Sequence, residues 1–425
     1  MLTAEDLRQA RWFGGKSRTI ASTRVADSGM LASDAPFYLL EVSYADAAPE
    51  TYVVAHRLED PAVAHAVLAQ FRGSTVGTER GRLEFRPTHV LDTTRRDELD
   101  PARMMSGEQS NTSIRFGNAL ILKLFRRLQF GPNPDVEIGW FLTEHTSFEG
   151  TPPVAGSLTY TSADGCEASL ALLQRFERNH GDAWTTMLRR LQSVLEGANS
   201  NESLEAVRRL GATTAELHLA LATPTPDAAF TAEAVSAADV EAWYAAIQEE
   251  VRITANALRQ HGTEVDMPAL LQRAAGVRSL ENTVKTRHHG DYHLGQVLER
   301  DDGSYVIIDF EGEPSRPLSQ RREKRSPLRD VAGMLRSFDY ARMAALRAGD
   351  MYHPGRAARA TGWYADARGA FLGAYLPTAQ RLLPADVGPA LAALELEKAA
   401  YEVMYELNNR PAWLPIPLAA FSAGP

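Results

Sequence analysis

The residues of this chain that are best suited to chemistry lie in one short stretch. It reads His289-Gly290-Asp291-Tyr292-His293-Leu294-Gly295-Gln296, continues through two β-prone runs separated by Asp302-Gly303, and ends at Asp309. An Asp-Gly pair between two such runs predicts a β-hairpin.

The predicted hairpin would bring oxygen ligands together. With Asp302-Gly303 at the centre of the turn, antiparallel pairing sets Leu298 against Ile307 and places Gln296 beside Asp309. A carboxylate and an amide oxygen suit Mg²⁺, which keeps other positions for water and substrate phosphates. A solvated hairpin with surface acids is the alternative interpretation.

A lysine interrupts an earlier apolar strand. Lys123 lies within residues 119–125, where its ammonium is costly to bury unless an anion lies nearby. Residues 138, 141 and 142 recur at helical spacing, and Glu137 in that helix is the first candidate partner, with Asp135 second. The alternative is an edge-strand lysine that reaches solvent.

The C-terminal helix carries a polar face. Lys398, Glu402, Tyr405 and Glu406 are spaced i, i+4, i+7 and i+8, so they share one side, and Arg410 and Trp413 follow them. Carboxylates, a lysine and an aromatic ring can bind a sugar. On the residues alone, surface decoration is the favoured interpretation, because Lys–Glu pairs at this spacing are common on exposed helices.

Composition limits the function classes. The chain has 425 residues, a net charge of −9 and one cysteine, Cys166. The negative charge argues against a nucleic-acid or anionic-membrane binder, and one cysteine excludes an intrachain disulfide. No apolar run approaches the roughly 20 residues that a membrane span needs, so we expect a cytoplasmic protein.

The hairpin stretch resembles the aminoglycoside-phosphotransferase-like branch of the protein-kinase fold, which reads H-G-D-x-H-x-x-N before a strand ending in I-D-F/W-E. The resemblance implies an α+β, bilobal protein-kinase-like fold that uses ATP and Mg²⁺. It implies that Asp291 is the catalytic base and that Asp309 binds the metal. It also implies a metal-binding role for Gln296, which stands where the family usually has asparagine. Gln296 departs from the family pattern because it carries the same carbonyl ligand on a longer side chain.

The same resemblance implies three segments. We expect a cap subdomain at 1–90, a nucleotide-binding N-lobe at 91–178 and a helical C-lobe at 179–425 that holds the catalytic loop and the acceptor site. It also implies that Lys123 meets the nucleotide phosphates. The nucleotide-binding candidates are Lys123, Glu137, Ser110, Asn111, Thr112, Gln174 and Phe176.

Longer blocks narrow the resemblance to the bacterial maltokinases. They are H-G-D-Y-H-L-G-Q-V-L, I-D-F-E-G-E-P-x-R-P-L, the stretch from Ser326 to Tyr340, and the ending from Glu397 to Leu418. The resemblance implies phosphorylation of maltose for glycogen or α-glucan synthesis, with a functional link to trehalose synthase. It favours sugar contact by the helix face; the acceptor candidates are His293, Glu313, Lys398, Glu402, Tyr405, Glu406, Arg410 and Trp413.

Other functions remain open at this point. A kinase of another small acceptor such as glucosamine is the main alternative, since an amino sugar needs a carboxylate and this face offers several. An aminoglycoside phosphotransferase and a non-enzymatic sugar-binding protein rank behind it.

Overall fold

The structure is a computed structural model, and it describes residues 4–10, 12–105, 111–349 and 353–422. The chain divides into two compact units, Met1–Arg178 and Asn179–Pro425, called here the N-terminal and C-terminal units.

The N-terminal unit holds nearly all of the strands. Its strands are β1 (Ile20–Ala32), β2 (Ala35–Tyr44), β3 (Glu50–Ala55), β4 (Thr75–Gly77), β5 (Gly81–Pro87), β6 (Ala102–Met104), β7 (Asn111–Phe116), β8 (Leu120–Phe125), β9 (Arg127–Leu128), β10 (Val154–Ser162) and β11 (Glu167–Arg175). Its helices are α1 (Ala4–Gln9), α2 (Pro61–Gln70), α3 (His89–Thr93) and α4 (Pro134–His145), with a 3₁₀ turn at Arg96–Glu98.

The described strands of this unit form two sheets around a continuous core. One sheet has the order β1-β2-β3-β9, and the other has the order β4-β5-β10-β11-β8-β7-β6. The predicted boundary near residue 90 does not divide this core. The reason is that β5 pairs directly with β10, and apolar side chains from Leu31 to Leu173 pack in one cluster.

The C-terminal unit is mainly helical. Its helices are α5 (Ala183–Leu195), α6 (Asn201–Leu221), α7 (Ala237–Gln260), α8 (Met267–Ala274), α9 (Leu318–Arg321), α10 (Leu328–Arg347), α11 (Pro354–Ala379), α12 (Gly388–Asn409) and α13 (Pro415–Phe421). Its strands are β12 (Glu233–Ala234), β13 (Val284–Lys285), β14 (Val297–Glu299) and β15 (Tyr305–Ile307). The 3₁₀ turns are Ala275–Leu280, Leu294–Gln296, Gln380–Leu382 and Pro411–Trp413.

The catalytic hairpin forms, but its register differs by one residue from the prediction. Val297 pairs with Ile307 and Leu298 with Val306, whereas we expected Leu298 opposite Ile307. The turn is longer than the predicted two-residue centre: Arg300 N donates to Ser304 O at 2.9 Å, and Gly303 has a φ of +79°. A three-residue loop with glycine in the left-handed conformation moves the pairing by one position.

Helix α10 runs through the core of the C-terminal unit. Most of its residues from Leu328 to Ala341 are buried, including the polar side chains of Asp330, Arg336 and Asp339. Buried charges need partners, so these three side chains mark where polar structure is organised. Across the described residues, no helix is long and apolar enough to cross a membrane.

Candidate active site

The backbone of the loop His289–Gln296, called here the catalytic loop, is held by Asp330 of α10. Its carboxylate accepts hydrogen bonds from His289 N at 2.7 Å and from Gly290 N at 3.0 Å. Gly290 has a φ of +85°, which L side chains rarely adopt. The carboxylate and the glycine together fix the direction in which the following Asp291 leaves the loop.

Asp330 is itself buried and supported. His218 Nε2 of α6 lies 3.2 Å from its Oδ2, and His218 Nδ1 lies 2.8 Å from the hydroxyl of Tyr375. Burial opposes ionisation, but the hydrogen bond from His218 and the nearby histidines hold the pKa of Asp330 below its usual range. Asp330 is therefore an anion, suited to binding two backbone N–H groups.

His289 joins the catalytic loop to the hairpin. Its Nε2 lies 2.9 Å from the carbonyl oxygen of Ile308, so Nε2 carries the hydrogen of that contact. The other ring nitrogen, Nδ1, accepts from Asp291 N at 3.3 Å. This histidine thus ties the base candidate Asp291 to the segment that ends at Asp309.

The carboxylate of Asp291 meets a lysine from the C-terminal helix. Lys398 Nζ lies 3.1 Å from Asp291 Oδ1 and 2.8 Å from Glu313 Oε1. Burial would lower the pKa of Lys398, but the charges of Asp291 and Glu313 overcome this and raise it above the ordinary value. Lys398 therefore carries a permanent positive charge beside the predicted base.

Glu313 belongs to a buried ionic cluster. Besides Lys398, its carboxylate contacts Arg316 Nε at 2.5 Å and Arg329 at 3.6 Å, and only 3% of its side chain is exposed. Burial would raise the pKa of Glu313, but these cations lower it to about 2. The sequence places Glu313 among acceptor-binding residues; the structure instead uses its carboxylate to hold three cations.

The predicted metal ligands lie together. Gln296 Nε2 donates to Asp309 Oδ2 at 2.9 Å, although the hairpin register differs from the prediction. Asp309 has a φ of +67°, an uncommon conformation for a residue other than glycine. An amide and a carboxylate in contact form part of an oxygen-ligand set suited to Mg²⁺.

A cavity of about 320 Å³ opens beside Lys398, and we call it the acceptor cavity. It is lined by seven of the eight residues predicted for acceptor binding: His293 and all six candidates on the C-terminal helix and after it. Its lining is Asp182, Trp184, His293, Gly295, Gly333, Ser337, Tyr340, Lys398, Tyr401, Glu402, Tyr405, Glu406, Arg410 and Trp413. Burial lowers the pKa of His293, so this side chain is neutral at physiological pH.

Glu402 lines this cavity, and Arg336 binds one of its two carboxylate oxygens. Its Oε2 accepts from Arg336 Nε at 3.0 Å and from the same guanidinium at 2.8 Å, while Arg336 also binds Asp339 at 2.6 Å. Burial raises the pKa of Glu402, and Arg336 opposes that rise. Among the described residues, no hydrogen bond occupies the other oxygen, Oε1.

Glu406 differs because both of its oxygens are used. Arg410 donates to both, and the hydroxyl of Tyr340 donates to Oε1 at 3.1 Å. The ring of Trp413 lies parallel to that of Tyr340, with centroids 6.3 Å apart, and Arg347 lies 4.7 Å from its centroid. These contacts make the two aromatic rings a wall of the acceptor cavity.

In the N-terminal unit, Lys123 has the acidic partner that its buried strand requires. Its Nζ lies 3.0 Å from Asp135 Oδ2, and only 2% of the Asp135 side chain is exposed. Asp135 is the second of the two predicted partners and lies two residues before Glu137 in the first turn of α4. Asn133 caps that helix by accepting from Asp135 N at 2.8 Å, which fixes the carboxylate's position.

The other nucleotide-binding candidates lie at the ends of strands in the same unit. Thr112 is buried and its hydroxyl accepts from Arg126 Nε at 2.7 Å, so this side chain serves the core; Asn111 begins β7. Phe176 follows β11 and lies under the guanidinium of Arg115, 4.0 Å from the ring centroid. Gln174 is half-buried near the end of β11, and Ser110 lies outside the described residues.

Several residues at this site were missed in the sequence. Asp330, Arg336 and Tyr340 all lie in the block from Ser326 to Tyr340, which was the available signal. That block carries no spacing that reveals a role, and an arginine on a helix is normally solvated, so the buried position of Arg336 could not be inferred. Asp182 and Trp184, at the start of α5, were not among the predicted residues.

Comparisons with known proteins agree with this geometry. The model of the phosphotransferase enzyme family matches residues 105–360. A glucosamine kinase of Mycolicibacterium smegmatis is 30% identical over 335 residues, covering 76% of this chain and 79% of the relative. A glucosamine kinase of Streptacidiphilus jiangxiensis is 28% identical over 322 residues, covering 73% and 70%.

A solved structure shows the same fold. It is a glucosamine kinase in complex with glucosamine, ADP and inorganic phosphate, with a TM-score of 0.71, 24% identity, and coverage of 94% of this chain and 93% of that one. This likeness confirms the predicted kinase-like fold, and the family model and the 30% identical relative confirm the predicted phosphotransferase activity. By its family model and by its relatives, the chain belongs to the phosphotransferase enzyme family.

Proposed function

We propose that this phosphotransferase transfers the γ-phosphoryl group of ATP to a hydroxyl of glucosamine. The observation that carries the proposal is Glu402, which lines a cavity of sugar size while Arg336 holds its Oε2 and no described residue hydrogen-bonds its Oε1. A carboxylate with an oxygen left for a ligand is the group that pairs with an amino sugar's ammonium. The two relatives named above are glucosamine kinases, which supports this acceptor over maltose.

Only one of the three candidate carboxylates is available for an ammonium. Glu313 is shared by Lys398, Arg316 and Arg329, and it lines no part of the acceptor cavity. Glu406 accepts from Arg410 through both oxygens. Glu402 remains, and we assign it to the ammonium of glucosamine.

The catalytic steps follow from the positions of the loop residues. Asp291 accepts the proton of the acceptor hydroxyl as its oxygen attacks the γ-phosphorus. The bond from that phosphorus to the β-phosphate oxygen breaks, and ADP leaves. Asp330 and His289 keep the Asp291 carboxylate in place, so the chemistry depends mainly on positioning.

Gln296 and Asp309 are the residues that would hold Mg²⁺. Their contact at 2.9 Å puts a carboxylate and an amide together, and the amide would present its oxygen to a bound ion. Bound Mg²⁺ would neutralise charge on the ATP phosphates. In the N-terminal unit, Lys123, held by Asp135, is the residue that we assign to binding of nucleotide phosphates.

A coupled assay of ADP release over glucosamine, maltose, glucose and aminoglycosides tests the proposal. We expect glucosamine to give the highest kcat/KM, and mass spectrometry should show a glucosamine product heavier by one phosphate. Turnover of maltose without glucosamine would restore the acceptor that the sequence favours and overturn ours.

The role of Asp291 needs its own test. Asp291→Asn keeps the size of the side chain but removes the proton acceptor, so kcat should fall by about two to four orders of magnitude. Affinity for ATP, measured by titration calorimetry, should stay within about twofold, since Asp291 is assigned to the acceptor. Retention of more than about a tenth of the wild-type kcat would assign the base elsewhere.

A further inference from the structure

Lys398 occupies a position that binding of the acceptor alone does not explain. It lines the acceptor cavity and also a second, water-sized cavity of about 20 Å³ that Asp291 lines as well. Asp291 does not line the acceptor cavity itself. Lys398 is therefore one of the residues that the two cavities share, and its ammonium contacts Asp291 directly.

The hydrogen bonds of this ammonium leave one donor for a ligand. A lysine carries three N–H groups. One is directed to Asp291 Oδ1 at 3.1 Å and one to Glu313 Oε1 at 2.8 Å. No described residue accepts a hydrogen bond from the third N–H group, and 18% of the Lys398 side chain is exposed.

We infer that Lys398 is a second catalytic residue, whose third N–H binds the attacking oxygen of the acceptor while Asp291 takes that oxygen's proton. The inference rests on the proposed function, because it takes Asp291 as the base. Lys398 keeps all of its protons during the step. The hydroxyl proton passes to Asp291, the oxygen–phosphorus bond forms, and the bond to the ADP oxygen breaks.

The surroundings of Lys398 support a fixed positive charge at this point. Glu313, whose side chain is 3% exposed, binds the same ammonium and is itself bound by Arg316. The ring of Tyr401 lies 4.9 Å from Nζ, which limits the directions that the side chain can take. A preorganised donor aimed at developing negative charge lowers the barrier more than it strengthens binding.

The test is Lys398→Ala with glucosamine and ATP, in the presence and absence of methylammonium chloride. Loss of a preorganised donor to a developing oxyanion typically reduces kcat by about 100-fold to 1000-fold, and we expect that range here. The KM for ATP should stay within about twofold. Methylammonium, which can occupy the vacated space, should restore kcat at least about tenfold, whereas sodium chloride at equal ionic strength should not.

Lys285→Ala is the matched control. Lys285 is 17% exposed and its ammonium contacts Asp239 at 2.8 Å, but it lies outside both cavities. Its replacement should leave kcat unchanged and should not respond to methylammonium. Thermal unfolding of both variants separates loss of folded protein from loss of catalysis.

Three results would overturn the inference. They are a fall in kcat of less than about threefold, a higher KM for glucosamine at preserved kcat, and a lost kcat that methylammonium does not restore in folded enzyme. Failure of the proposed function is a separate outcome, seen in the wild-type enzyme as turnover of a different sugar. The Lys398 variants would then be assayed with that sugar.

Discussion

Glu402→Gln tests the assignment of the ammonium site. The substitution keeps the shape and the hydrogen-bonding length of the side chain but removes its negative charge. Arg336 retains Asp339 at 2.6 Å as an ionic partner, so its own charge is not left unpaired. We therefore expect a folded protein whose acceptor cavity differs mainly in charge.

The magnitude follows from burial and from the available oxygen. Only 12% of the Glu402 side chain is exposed, and one of its oxygens is free for a ligand. A hydrogen bond to a charged group contributes about 1.5–3 kcal/mol when its partner is removed. The KM for glucosamine should therefore rise by about tenfold to a hundredfold, because each 1.4 kcal/mol is a factor of ten.

The assay compares two acceptors with one variant. Glucose has a hydroxyl where glucosamine has the ammonium, so its KM should change by less than about threefold in Glu402→Gln. Glu395→Gln is the control: Glu395 lies on the same helix, is 13% exposed and pairs with Arg368, but it does not line the cavity. Equal losses for glucosamine and glucose would refute the assignment of Glu402 to the ammonium.

Three further predictions concern the metal, the loop and stability. Gln296→Ala should raise the Mg²⁺ concentration needed for half-maximal activity, and an unchanged requirement would remove Gln296 as a ligand. Gly333→Ala should lower both kcat and the melting temperature, because the new Cβ would lie 2.6 Å from Tyr292 O and such overpacking costs about 1–3 kcal/mol. Gly362→Ala is the control, since a Cβ there meets open space and should change neither quantity. Burial and the nearby carboxylate of Glu397 raise the pKa of Glu250 to about 7, so ionisation of Glu250 destabilises the fold as pH rises from about 5 to 8. Glu250→Gln should remove this part of the pH dependence of the free energy of unfolding, measured by chemical denaturation. The expected size is about 1 kcal/mol, because a third of the Glu250 side chain is exposed and solvent screens its charge. An unchanged pH profile would contradict this prediction.

The sequence predicted the elements of this protein better than their partners. The catalytic loop, the strand with Lys123 and the polar face of α12 all lie where periodicity and turn residues placed them. The hairpin register was wrong by one residue because an Asp-Gly pair fits both a two-residue and a three-residue loop. A local pattern leaves that choice open, and packing decides it.

The partners of the α12 face show the same limit. Lys398 and Glu402 are four residues apart, which suggests a pair with each other on a solvated helix. In the structure, Lys398 contacts Asp291, 107 positions earlier, and Glu402 contacts Arg336, 66 positions earlier. Contacts of this range depend on how helices pack, and helical spacing carries no information about them.

One face of α10 contacts both the catalytic loop and the acceptor cavity and fixes their relative position. Asp330, Gly333, Ser337 and Tyr340 recur at intervals of three, four and three residues, so they lie along the same side of the helix. In that order, Asp330 binds the start of the catalytic loop, Gly333 allows the close approach of Tyr292 O, and Ser337 Oγ accepts from Leu294 N at 3.1 Å. The last of them, Tyr340, binds Glu406 in the acceptor cavity. A rigid helix thus sets the distance between the proposed base and the acceptor cavity, and a change that tilts α10 should impair both together.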